Sequence, residues 1–218
     1  MGDPGDHACT LCQAAGDLYY ADPRDGEYFR CGNCGLVWLD PGRHPSLETE
    51  KAHYGTHQNS PGDAGYRRFL DQLWAPLRER LAPGASGLDY GSGPGPTLHL
   101  MAREDGHPCT HYDPFFAPVA SRLERRYDFV TCSETAEHFH QPGREFARLR
   151  GMLRPGGWLG VMTLPLPDAP EFARWHYRAD PTHVVFYSAR VFEWIQSALS
   201  FDRLEFPHPR VALLRAGR

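Results

Sequence analysis

The chain has 218 residues, long for one small domain and short for two full ones. A charged fraction of 23% and an apolar fraction of 41% are those of a globular protein and exclude a disordered or fibrous class. The net charge of -4 gives no bulk attraction to nucleic acid or anionic lipid. No apolar run approaches the length of a membrane span, and the opening MGDPGDHACTLC lacks the basic-then-apolar pattern of a secretory signal. A cytoplasmic location without membrane contact is therefore expected, in which cysteine spacing matters more than disulfide pairing.

Residues 1–45 hold two knuckle-like pairs, Cys9-x2-Cys12 and Cys31-x2-Cys34. Each CxxC turn brings two thiolates to one side, and two turns complete a tetrahedral S4 shell around zinc. Such a closed shell leaves no position for substrate, so the metal is expected to be structural. The competing reading is a redox pair or unconnected cysteines. Between the pairs, LYYADPRDGEYFRC has the pattern of a hairpin turning at Asp25-Gly26. Residues 46–64 are polar and rich in turn formers, which suggests a linker or a lid, and Tyr54, His57 and Asn59 fit no helix or strand periodicity.

From residue 65 to 218, strand-like and helix-like stretches alternate. A helix over 66–81 places Phe69, Leu70, Leu73, Trp74, Leu77 and Leu81 on one face, and Pro76 is expected to kink or split it. A strand ending at Asp89, a helix around Pro96–Glu104, and strands CTHYD and YDFVTC follow. An amphipathic helix over Glu145–Leu153 stops at Pro155-Gly156-Gly157, ahead of a strand WLGVMTL. A helix over Arg190–Leu199 and two strands, FDRLEF and VALLR, close the chain. This order predicts an α/β, mostly parallel sheet covered by helices on both faces, with an antiparallel hairpin at one edge. Cys109 and Cys132 fall in strands and read as small buried hydrophobes.

Four motifs in this region occur in a characteristic order. LDYGSGPG carries the spacing G-x-G-x-G behind Asp89, unlike the dinucleotide G-x-G-x-x-G or a lysine-bearing phosphate loop. Asp113 ends the next strand, YDFVTCSETAEHF contains E-x-x-E-H, and LRGMLRPGGWL contains a Pro-Gly-Gly turn. Together they resemble the class I S-adenosylmethionine-dependent methyltransferases across residues 65–218. The resemblance implies a Rossmann-like fold with S-adenosylmethionine as cofactor. It places the donor near Asp89, Gly91, Ser92, Gly93 and Gly95, with Asp113 on the ribose hydroxyls and Pro114 and Phe115 beside it. Cys132, Ser133 and Glu134 are expected to line the cofactor side. Only 13 residues separate Asp113 from Tyr127, too few for the family's usual third strand and its flanking helices. Phe115 and Phe116 become candidates for an apolar wall against adenine, or plain core.

Methyl transfer is an in-line displacement that needs collinear donor and acceptor in a dry site, and a base only if the acceptor must lose a proton. The connection LPLPDAPEFARWHYRADPTHVVFY is dense in aromatic and polar groups, and in this fold it often forms the acceptor pocket. His183 is the first choice as base or acceptor-orienting group, then His138, with Tyr54 and His57 from the lid segment. The leading expectation is a methyltransferase for a small or carrier-bound metabolite. The alternative is an RNA methyltransferase of ribosomal-RNA type, in which Arg30, Arg43, Tyr28, Phe29 and Trp38 of the ribbon contact RNA. A third reading is a non-catalytic S-adenosylmethionine-binding module.

Overall fold

The computed structural model describes residues 7–24, 26–56 and 59–217. The N-terminal part is a hairpin of β1 (Gly16–Asp22) and β2 (Gly26–Cys31), extended by β3 (Val37–Leu39). The expected hairpin is present; Asp25, at its turn, lies outside the described residues. The segment read as a linker or lid is partly helical. α1 (Leu47–Tyr54) starts at Ser46, whose side chain accepts from the Thr49 amide at 3.2 Å. Glu48 and Glu50 lie in its first turn, Lys51 and His53 in its last. Capping and charge order favour a helix here although the apolar pattern is absent.

α2 (Ala64–Arg78) is capped by Asp63, which accepts from the Gly65 and Tyr66 amides. It runs through Pro76 without a break. The helix is not split there: Leu70, Leu73, Trp74 and Leu77 are buried together with Phe129, Trp158 and Leu213, and that burial outweighs one missing amide bond.

The main sheet is built from β4 (Gly87–Tyr90), β5 (Cys109–Tyr112), β6 (Tyr127–Ser133), β7 (Leu153–Met162), β9 (Phe201–His208) and β10 (Val211–Ala216), in the order β5-β4-β6-β7-β10-β9. The β5–β4–β6–β7 pairings are parallel, and β10 is antiparallel to both β7 and β9. This is the expected Rossmann-like arrangement with its edge hairpin. α3 (Leu98–Glu104), α4 (Pro142–Gly151) and α6 (Ala189–Ala198) are the crossover helices. Among the described residues between β5 and β6, only one isolated bridge, Asp113 to Ala117, and a short 3-10 turn occur, so the third strand is absent and β5 is an edge. β7 already begins at Leu153, with Pro155-Gly156-Gly157 absorbed as an irregularity in its register with β6 rather than acting as a stop.

The connection after β7 holds a short helix α5 (Ala169–Phe172), a 3-10 turn at His176–Ala179, and β8 (Val185–Phe186). β8 does not join the main sheet. It pairs antiparallel with β3, so the N-terminal sheet has the order β1-β2-β3-β8. Among the described residues, no helix is long and apolar enough to cross a membrane.

Candidate active site

The glycine turn leaves the C-terminal end of β4 and is stitched to β5 by the Gly91 and Ser92 amides, which donate to Tyr112 O at 2.8 and 3.2 Å. Gly91 has φ +75°, and a Cβ there would lie 2.2 Å from the Thr135 side chain. Only glycine meets both demands. Thr135 in turn donates from Oγ1 to Gly91 O at 3.1 Å, closing the turn after β6 against the turn after β4. Gly93, also at positive φ, faces open space. The approach at Gly95 is closer still, since a Cβ there would meet the Asn59 carbonyl at 2.1 Å. The segment behind α1 thus crosses directly over the glycine turn.

Asp113 is buried, and its carboxylate ties the loop together. Oδ2 accepts from the Gly93 amide at 2.9 Å, and Oδ1 accepts from Phe115 and Phe116 amides at 2.8 and 3.0 Å. Its visible work is to hold the ends of β4 and β5 in register, a duty the ribose expectation did not include. Asp89 is buried beneath the turn, accepts from Thr131 Oγ1 at 2.9 Å, and is pushed up to about 6 by burial. Pro114 is exposed, and Phe115 and Phe116 are half-buried. Cys132 requires a correction: it is fully buried in the core cluster with Tyr187 and Phe146, so its thiol does not line the cofactor side. The hydroxyls of Ser92 and Ser133 are buried without a hydrogen-bond partner. Open space over Gly93 and two unpaired hydroxyls beside it fit a polar, adenosyl-type ligand.

Beyond β6 the acidic and imidazole groups converge. Glu134 sits at φ +45°, unusual for a residue with a side chain and common at functional turns. The Tyr177 hydroxyl donates to Glu137 Oε1 at 2.5 Å and lies 3.4 Å from Glu134 Oε2. Glu134 Oε1 and Glu137 Oε2 are buried without partners. Burial pushes both carboxyls above the usual range, and for Glu134 the neighbouring Glu137 charge adds to it. His183 Nδ1 donates to Tyr177 O at 2.7 Å and His138 Nδ1 to Thr182 O at 2.9 Å, which leaves both Nε2 lone pairs available. The two rings lie 4.7 Å apart. Burial, then His138, lowers His183 to about 4, and burial lowers His138 as well. A base that weak is far from the optimum for proton abstraction near neutrality. A neutral imidazole is instead a good ligand, and one atom each of Glu137, His138 and His183 lies within 4.8 Å of the others.

Tyr54 closes this cluster from α1, its ring 5.1 Å from His138 and 5.8 Å from Phe115. α1 is fastened by His53 Nε2 at 3.2 Å from Asp180 Oδ2 and by Glu50 Oε1 at 2.8 Å from His140 Nε2. The structure therefore brings together Tyr54, His138 and His183; His57 lies outside the described residues. Sequence reasoning missed Thr135 and Glu50, neither of which belongs to a recognisable spacing, whereas Asn59 was singled out with the lid segment. A separate depression of about 580 Å³, lined by Arg103, Arg125, Arg126 and Arg154, lies at the opposite, N-terminal ends of the strands.

The four knuckle cysteines converge, with Cys9 Sγ to Cys34 Sγ at 3.5 Å and Cys12 Sγ to Cys31 Sγ at 3.4 Å. Those separations exceed a disulfide and approach the edge of a tetrahedral zinc–thiolate shell, about 3.8 Å. Gln13 at φ +64° and Gly35 at φ +83° shape the two turns. Tyr28, Phe29 and Trp38 are buried. They cannot stack on bases, which removes the aromatic part of the expected RNA surface.

A family model described as a methyltransferase domain matches residues 66–204. The chain belongs to that family, and its class is that of the S-adenosylmethionine-dependent methyltransferases. Among curated relatives, the ubiquinone biosynthesis O-methyltransferase of Proteus mirabilis is 31% identical over 85 residues, covering 39% of this chain and 35% of the relative. That of Photorhabdus laumondii is 32% identical over 79 residues, 36% of this chain and 33% of the relative. The chain thus spans about a third of the length of the curated relatives it matches. A solved 1,6-didemethyltoxoflavin-N1-methyltransferase from Burkholderia thailandensis, with S-adenosylhomocysteine bound, has the same fold. It shows TM-score 0.51 and 17% identity over 93% of this chain and all of that one.

Proposed function

We propose that the protein methylates an oxygen of a small or carrier-bound metabolite, with S-adenosylmethionine as donor. One observation carries the reading. Buried carboxyls with unpaired oxygens and two imidazole Nε2 lone pairs converge at the C-terminal end of β6, beside the glycine turn. Such a cluster suits a hydroxylated acceptor better than an apolar one, and the O-methyltransferase relatives support the same choice. The donor supplies an electrophilic methyl on sulfur. The side-chain-free space over Gly93 receives it beside the unpaired hydroxyls of Ser92 and Ser133, Asp113 keeps the turn rigid, and Tyr54 with Asn59 screens the site from water. Glu137, His138 and His183 are the residues that would hold a divalent cation, which would lower the proton affinity of a bound hydroxyl. Cys9, Cys12, Cys31 and Cys34 would hold a structural zinc.

The test is calorimetry with S-adenosylhomocysteine followed by incubation of labelled donor with total RNA or a metabolite extract, with and without chelator. Label is expected in the small-molecule fraction, reduced by chelation, and donor binding is expected to be lost in Gly93→Val. Label in RNA would overturn the acceptor class, and no affinity for S-adenosylhomocysteine in the native protein would overturn the activity.

A further inference from the structure

Two anchors join the N-terminal sheet to the acceptor side of the site. The first is β8, paired to β3 at Trp38–Val185 and Val37–Phe186, with the Leu39 amide donating to Val184 O at 2.8 Å. On its other side the Val184 amide donates to Glu137 O at 2.9 Å. The second anchor is Arg178, whose side chain is 6% exposed and whose Nη2 lies 3.5 Å from Oδ2 of Asp22 at the end of β1. Its Nε donates to Phe172 O at 3.2 Å and Nη2 to Ala173 O at 3.0 Å. The guanidinium lies 5.0 Å from the Tyr20 ring and 5.6 Å from that of Tyr28, both on the hairpin. Next to the second anchor is Tyr177, bonded to Glu137 through its hydroxyl, and next to the first is His183, whose Nδ1 donates to the Tyr177 carbonyl.

We infer that Asp22 and Arg178 are a positioning pair through which the hairpin of the cysteine-bearing sheet sets Tyr177 and, by way of the Tyr177 carbonyl, the His183 imidazole. Asp22 is itself fixed by the Arg24 amide, which donates to Oδ1 at 2.9 Å, and removing its charge leaves the Arg178 guanidinium buried without that carboxylate. The residue next to Arg178 in the chain is Tyr177, so a shift of the 3-10 turn moves both the hydroxyl on Glu137 and the carbonyl on His183. The assignment rests on the proposed function only for what the oriented groups are used for. By the same geometry, the N-terminal sheet is a wall of the reacting site and not a detachable appendage.

The experiment uses the full zinc-loaded chain and compares native protein with Asp22→Asn, which keeps shape and removes charge, and with Arg178→Gln and Arg178→Lys. The spectroscopic readout is the His183 Nδ1–H proton by NMR, alongside zinc content and affinity for S-adenosylhomocysteine. Exchange of that proton is expected to speed up by about tenfold or more in Asp22→Asn and Arg178→Gln, because local opening becomes easier. Arg178→Lys should recover part of the protection, and zinc content and S-adenosylhomocysteine affinity should stay at native values. If Asp22→Asn does not fold, Asp22→Glu, with the charge one methylene further out, reads the same proton. An unchanged proton in folded, zinc-loaded variants overturns the inference, as does an equal loss of S-adenosylhomocysteine affinity, which would mark general unfolding. Native protein that binds no S-adenosylhomocysteine overturns the proposed activity and leaves the positioning pair standing, since its readout needs no ligand.

Discussion

Glu134 combines three costs in one residue: a left-handed backbone, a buried carboxyl and an acidic neighbour in Glu137. Its folded-state pKa is raised above the ordinary 4.5, so the folded form binds the extra proton. Stability contributed by that proton is full below 4.5 and is lost as pH rises through the folded value. The share of stability set by Glu134 is therefore smaller at pH 8 than at pH 5.5, and Glu134→Gln should shift the melting temperature upward more at pH 8 than at pH 5.5, stabilising the protein by roughly 2 kcal/mol at pH 8. Thermal melts at both values check this, and a Glu134→Gln protein less stable than native at pH 8 would refute it. Gly91 makes the opposite case. Gly91→Ala meets both a positive φ and the Thr135 side chain, so a loss of about 2–3 kcal/mol is expected in denaturant unfolding, with S-adenosylhomocysteine binding impaired. The turn glycines and Asp113 were legible because glycines and acids at strand ends announce themselves by spacing. Cys132 was misplaced for a simple reason: alternation along a strand decides which face a side chain takes, and the motif alone does not fix it.

At the scale of elements, the parallel strands and the closing hairpin were readable from apolar alternation and turn residues. α1 was not, because its stability comes from a serine cap, ordered charges and two histidine–carboxylate contacts, which carry no periodic signal. Ser46→Ala should cost about 1 kcal/mol locally. It is expected to raise amide exchange over residues 47–54 while the global melting temperature barely moves. Exchange confined to native rates there would show that contacts with Asp180 and His140, not the cap, hold the helix. β8 was hidden for another reason. Two residues of strand are too few for any pattern, and their partner strand lies at the other end of the sequence.

For the whole molecule, β8 crosses from the later part of the chain into the cysteine-bearing sheet, so strand pairing ties the two parts together. Removal of the proposed zinc by chelation, or Cys12→Ser, is expected to lower overall stability by about 3 kcal/mol and the melting temperature by about 10 °C. Calorimetry against metal content checks it, and an unchanged melt after complete metal loss would count against a shared cooperative unit.

The pairing of β3 with β8 also bears on biosynthesis. The cysteine knuckles leave the ribosome ahead of β8, so the outer edge of β3 stays without its neighbour until translation has passed Phe186. During that interval the nascent chain exposes a short strand rim, and a chaperone or a slow translation rate would guard it against mispairing with another copy.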